Sequence, residues 1–395
     1  MSSDSMRTLL PCNLIISLLM IIPITWGTAT QAQQSCGKPG DWYERSQSTF
    51  QTVSSSDLLK SSEGADFILL GERHDQYSDH LWQAHTLSLL LGKHDRLSIG
   101  LEMLPRSAQA AIDQWLKGEI GTSEFLLASG WYEHWRFDAD LYQPIFNLVK
   151  LNNLKVFALN VDGNMITQVS KAGWESLGSE EKQIVGKPSP APAEYEAYLR
   201  EIWLEHAATD EEGFQNFVEA QLTWDRAFAE ALVSAKKNTD GLVVGLIGAG
   251  HLNTQAGVAH QLQDLGNFSI RTWIPISEEG LCEILENYDR ENNQLGDAIF
   301  VTPSRQDLSL KEKVGLYLRD ADQGVIAENV LENSLAANAG LIDKDLIIKA
   351  AGAPVKSAAE LIAIINRQSA GFWLPLTIIR QGVTTELIIK FEPIL

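Results

Sequence analysis

Five short runs rich in apolar and β-branched residues recur along the first two thirds of the chain: Asp66 to Leu70, Leu97 to Leu101, Val156 to Leu159, Leu242 to Ile247 and Ser269 to Ile274. They lack the apolar-polar alternation of half-solvated strands, so they read as strands buried on both faces. Between them, His80 to Leu91, Ser107 to Leu116 and Asp140 to Lys150 carry apolar residues at helical spacing. Such alternation predicts βαβ units: an α/β fold with a helix-covered, mainly parallel sheet and right-handed crossovers.

The rhythm breaks between about 171 and 237. A proline-rich hinge, Lys187-Pro188-Ser189-Pro190-Ala191-Pro192, separates two helix-like stretches, and Tyr195 to His206 and Phe214 to Val233 carry aromatic residues three and four apart. This predicts a helical insert whose aromatic stripe packs as core. A second change follows Ile299 to Pro303, where Ser304 to Asp307 read as a polar linker. Beyond it come short strands, glycine punctuation and one helix, predicting a small β-rich α+β domain over 305–395 after a larger one over 33–304.

Length and composition narrow this picture. A chain of 395 residues predicts two domains. Arg7, the apolar run Leu14 to Ile24 and Thr30-Gln31-Ala32 have the layout of a secretory signal ending at residue 32. The apolar run is interrupted by Pro23 and is shorter than the roughly 20 residues that span a bilayer. Neither Cys12 nor Cys36 follows a lipobox, so a soluble exported, periplasmic product is expected. Of three cysteines, Cys12 leaves with the leader, and in an oxidising compartment Cys36 and Cys282 become a disulfide candidate. The net charge of −20, without a standout basic patch, argues against a nucleic-acid partner.

Chemistry concentrates where predicted strands end. Gly71-Glu72-Arg73-His74-Asp75, Glu102-Met103 and Gly248-Ala249-Gly250-His251 each follow a buried run directly. In an open parallel sheet the carboxyl ends of strands form the ligand-binding crest, so residues remote in sequence converge there. An imidazole beside a carboxylate serves as metal ligand or general base. No H-E-x-x-H, paired C-x-x-C or G-x-S-x-G motif accompanies them.

The motifs DFILLGERHD (Asp66 to Asp75), SIGLEM (Ser98 to Met103) and LIGAGHLN (Leu246 to Asn253), in that order, resemble the ChaN-like group. That group belongs to the superfamily of Tiki, TraB and erythromycin esterase proteins. Lesser matches are Trp42, Ala158-Leu159-Asn160 and Trp224-Asp225-Arg226. The resemblance implies haem binding for iron acquisition, with Glu72, His74, His251 and Asp225 at positions that match the superfamily's polar site; Tyr142 joins this cofactor-binding set as a phenol that ferric haem could use. Its other branch implies a hydrolase with Glu72, His74, Glu102 and His251 as catalytic residues, where His74 and His251 would hold a divalent metal such as zinc. For the axial haem ligand, Tyr132, His134, Tyr142, Tyr195, Tyr198 and His206 stay open, as does a homodimer.

From Lys313 to Phe391, a strand start at Val314-Gly315-Leu316-Tyr317, the segments Gly324 to Val330 and Ala339 to Ile347, and a helix at Ser357 to Arg367 resemble a PDZ domain of the bacterial protease-associated type. The resemblance implies a module that adds a partner's peptide as an extra strand and receives its terminal carboxylate at Val314, Gly315, Leu316 and Tyr317. Ala358, Leu361, Ile362 and Ile365 would line its side-chain pocket.

Overall fold

The computed structural model describes residues 36–46, 49–135, 137–205, 210–252, 255–287, 295–304, 313–368 and 370–391. The leader, His206, Asn253 and all but the first residue of the polar linker lie outside them. Among the described residues the first sheet has eight strands in the order β2-β1-β8-β7-β3-β6-β4-β5. These are β1 (Trp42–Ser46), β2 (Thr49–Val53), β3 (Phe67–Glu72), β4 (Leu97–Pro105), β5 (Lys155–Asn160), β6 (Leu242–Gly248), β7 (Ile270–Ser277) and β8 (Ala298–Thr302).

All five predicted strands are present, and every pairing from β8 to β5 is parallel. All residues of β3, β4 and β6 are buried, as continuous apolar runs require when helices cover both faces. All five predicted strands run one to four residues past their predicted ends. Glu72 closes β3, Glu102 sits within β4 and Gly248 closes β6. The apolar pattern marked where side chains turn polar, whereas the backbone ladder continues beyond that point. The antiparallel pair β1–β2, joined to the sheet through β8, was not legible in the hydrophobic pattern.

Among the described residues the outer edge of β5 has no strand neighbour. Instead the Gln109 side-chain amide donates from Nε2 to Val156 O at 2.9 Å and accepts from Ala158 N at 2.9 Å. A side chain thus takes the place of one more strand.

The key covering helices are α1 (Tyr77–Leu91), α2 (Thr122–Ala128), α3 (Trp131–His134), α4 (Ala193–Glu205) and α5 (Glu211–Asn238). The helical insert is present: α4 follows the proline hinge, and α5 runs 28 residues from its N-cap Asp210, whose side chain accepts from Gly213 N. Ala229, Ala231 and Ala235 are buried along α5, and with Phe228 and Leu232 they pack against the sheet residues Phe67, Leu69, Val243 and Ile247. Small side chains let this helix lie close to the sheet and carry Asp225 toward the crest. Aromatic residues of α4 and α5 form a separate small core around Tyr195, Leu199, Phe214 and Val218.

Cys36 and Cys282 are joined as a disulfide with Cα atoms 5.2 Å apart, tying the segment before β1 to the helix Glu278–Asn287. The bridge closes a loop of 246 residues. Reducing it is expected to lower stability by about 2–5 kcal/mol, measurable as a reduced denaturation midpoint in dithiothreitol.

The second sheet, β14-β13-β11-β10-β9 with the short β12 on β11, is wholly antiparallel. Its strands are β9 (Leu316–Ala321), β10 (Gly324–Val330), β11 (Leu346–Ala350), β12 (Ala353–Pro354), β13 (Trp373–Arg380) and β14 (Val383–Lys390). Its helix α6 (Ala358–Asn366) contributes Leu361, with Ala358, Ile364 and Ile365 at its margin, to a core built on Val325, Ile347, Leu374, Ile378 and Ile389. The opposite face of α6 corrects one expectation. Ala359, Ala363 and Ile362 pack with the larger domain's core around Phe125, Trp131 and Tyr132, so Ile362 points away from the expected peptide pocket. Adjacent positions on a helix lie 100° apart, so Leu361 and Ile362 cannot share one narrow face.

Candidate functional site

The ends of β3, β4 and β6 are neighbours in the sheet, and they bring Glu72, His74, Glu102 and His251 together. The turn after β3 is fixed from behind. Asp79 on α1 accepts from Arg73 N at 2.9 Å and from its guanidinium at 2.9 and 2.7 Å. Gln83 donates to the carbonyls of Leu70 and Gly71. At Gly248 a Cβ would stand 2.6 Å from His74 Cε1, so only glycine lets the imidazole lie over the end of β6.

Two carboxylate-imidazole pairs face this point. Glu72 Oε1 accepts from His74 Nδ1 at 2.9 Å and from the Tyr142 hydroxyl at 2.7 Å, while its other oxygen lies 3.4 Å from His80 Nδ1. Asp225 Oδ1 accepts from His251 Nδ1 at 2.7 Å, and its Oδ2 accepts from the Tyr195 hydroxyl at 2.7 Å. Each pair fixes the tautomer of its histidine and turns Nε2 toward the crest. Between them Glu102 accepts from Gly248 N, and its Oε1 lies 3.9 Å from His251 Nε2. Asn160, at the end of β5, donates to Glu102 O and is held in turn by the Trp224 indole.

Charges follow this geometry. Burial alone would raise the Glu72 carboxyl, but the adjacent His80 and His74 hold it down at about 2. Burial works against the cations of His74 and His251. Glu72 and Glu102 outweigh it at the first, Asp225 and Glu102 at the second, so both imidazoles titrate above their ordinary range. Glu102 moves the other way: burial raises its carboxyl despite the pull of His251 and His74.

The residues considered for iron ligation separate into groups. Tyr142 is 1% exposed and Tyr195 fully buried, each with its hydroxyl committed to a carboxylate, and burial pushes both phenols well above their ordinary range. Tyr132 is buried and His134 exposed. Tyr198 is partly exposed and stacks on Tyr195. The His74 side chain keeps 31% exposure, and the rings of Trp135 and Phe137 lie 4.5 and 5.2 Å from it. His80 was not singled out from the sequence: it lies among apolar neighbours on α1 and reads as an ordinary helix position. The insert's Tyr195, expected as core or haem ligand, is core and also the partner of Asp225. Among the described residues no group of three or more His, Cys, Asp or Glu is placed to hold a metal ion.

In the smaller domain, Val314 is buried, and Gly315 adopts φ +75 where a Cβ would collide with Ser334. Leu316 opens β9, and Tyr317 is 58% exposed. Among the described residues β9 is an edge strand, paired with β10 alone. Asp320 Oδ1 accepts from Ala358 N at 2.6 Å, joining β9 to the start of α6.

A family model described as haem-binding uptake, Tiki superfamily, ChaN matches residues 58–262. A solved structure titled as cofacial heme binding to ChaN of Campylobacter jejuni is 22% identical, with a TM-score of 0.51, covering 67% of this chain and 98% of that one. That likeness is one of fold. The HtrA3 PDZ domain bound to a phage-derived ligand is 22% identical over 21% of this chain and 86% of that one, with a TM-score of 0.19. The HtrA-type protease AlgW with a decapeptide is 15% identical over 21% of this chain and 29% of that one, at 0.20. No curated protein matches the chain.

Proposed function

The chain belongs to the ChaN family of haem-binding uptake proteins in the Tiki superfamily, and from that premise we propose that it is an exported haem-binding protein that delivers or receives haem while its smaller domain holds a partner's peptide. One observation carries the first half. His74 is the partly exposed imidazole of the crest, with Nδ1 tied to the buried carboxylate of Glu72 and with Trp135 and Phe137 beside its ring. These residues fit haem: a carboxylate-backed imidazole is a basic iron ligand, and flat aromatic edges suit a porphyrin face. Bound haem would supply an iron centre that the His74 imidazole would hold. The chain's own residues orient the imidazole, hold its tautomer and keep charge near it balanced.

Export is supported by the leader-like segment and by the Cys36–Cys282 bridge, which suits an oxidising compartment. Peptide capture is supported by β9, which among the described residues pairs along one side with β10 and lies beside the Gly315 turn, the geometry that strand addition uses. Peptides with a free terminal carboxylate should bind the full chain more tightly than their amides, and equal affinity would remove the role given to residues 314–317.

The haem reading is tested by titrating ferric haem into the full chain and following the Soret band. His74→Ala is expected to weaken binding by at least tenfold and also to lower the thermal midpoint, because it removes one partner of the buried Glu72 carboxylate. Undiminished haem binding in that variant would remove His74 from the site.

A further inference from the structure

Helix α6 has two occupied faces. One carries Leu361 into the core of the smaller domain and lies beside the edge strand β9, to which Asp320 ties its N-terminus. The other presses Ala359, Ile362 and Ala363 onto α2 and α3 of the larger domain, where Ala359 and Ala363 are 5% and 2% exposed. From α3 a continuous series of contacts leads to the crest. The Trp131 ring lies 5.1 Å from Tyr142, the Trp135 indole donates to the Tyr142 hydroxyl at 3.0 Å, and that hydroxyl donates to Glu72. Trp135 also meets His74 edge-on, and Trp131 Nε1 donates to Phe137 O at 2.8 Å. The same short segment, 131–142, therefore touches the peptide-groove helix at one end and both partners of the Glu72–His74 pair at the other.

We propose that the β9 groove and the His74 crest are thermodynamically coupled through α6 and the 131–142 segment, so that a seated peptide tightens haem binding. The proposal rests on the two binding roles given above. Its sign follows from ordering. On the groove side, Ala358 and Ile365 of α6 are only partly buried. A peptide lying between β9 and α6 adds a wall there, holds α6 against Trp131 and Tyr132, and so removes part of the ordering cost that a ligand at His74 otherwise meets. By linkage, haem must strengthen peptide binding by the same factor.

The test uses the full chain and two probes: ferric haem followed at the Soret band, and a fluorescein-labelled pentapeptide ending in a free valine carboxylate followed by anisotropy. Saturating peptide is expected to lower the haem Kd by about fivefold or more, with the reciprocal effect of haem on the peptide Kd. Ile362→Ala, which touches neither ligand, should bring both factors close to one while each Kd measured alone stays within about twofold. Tight binding of both probes with no mutual effect, or a weakening, overturns the coupling and leaves the two sites standing. Failure of either probe to bind overturns the coupling together with the binding role that probe reports, and the two titrations show which.

Discussion

Glu72→Gln is expected to destabilise the protein by roughly 3–5 kcal/mol, the range for removing one partner of a buried charge pair. Glu72 is 1% exposed, its side chain serves His74 and Tyr142, and it lies against His80, which is itself completely buried. The neutral amide keeps the size but removes the negative charge that both imidazoles need. The loss should depend on pH. A carboxyl held at about 2 in the fold against an ordinary 4.5 stabilises the protein above 4.5, and that stabilisation fades as pH falls from 4.5 toward 2. His74 and His80 are raised above their ordinary 6.5, so their share is full below 6.5 and is lost as pH rises through the folded-state values. The stability difference between wild type and variant should therefore peak between about 4.5 and 6.5 and shrink on both sides. Urea denaturation of both proteins at several pH values measures it. A difference that does not vary with pH would mean that the carboxylate acts only by its shape.

Haem titration of the double variant His74→Ala/His251→Ala should show a loss scarcely greater than that of the more damaging single variant. The reason is geometric. The two imidazoles are anchored on opposite sides, one by Glu72 and one by Asp225, yet both face Glu102. Groups that act as one unit give strongly non-additive losses. Each single substitution is expected to weaken haem binding by about tenfold or more, and the double by no more than about threefold beyond that. Losses that multiply would separate His251 from the ligand site and leave the Asp225–His251–Tyr195 group as a structural tie between the insert and the sheet.

The parallel sheet and its crest were legible because both depend on local sequence: buried strands are uninterrupted apolar runs, and the polar clusters sit where those runs stop. That rule singled out Glu72, His74, Glu102 and His251, and the fold brings them together. What supports them was not legible in the same way. His80 reaches Glu72 only because α1 folds back over β3, and the pattern on α1 gives no sign of it. Tyr142 was picked as a cofactor residue, yet its place in the fold is behind the site, with its hydroxyl on Glu72. The β1–β2 pair escaped notice because Thr49–Val53 is mostly exposed and has no clear period. Ile362 was misplaced because both sides of α6 are apolar, and a hydrophobic stripe does not state which of two cores it enters.

The amide of Gln109 on the flank of β5 has a consequence for the chain in crowded company. An unpaired strand margin is a template on which other chains can polymerise, and natural sheets blunt it with bulges, charges or covering segments. Here a single glutamine occupies the Val156 carbonyl and the Ala158 amide, so the larger sheet is insulated on that side from end-on growth into fibrils. Gln109→Ala would leave folding within each molecule largely alone and would show itself instead as concentration-dependent turbidity and thioflavin binding on prolonged incubation.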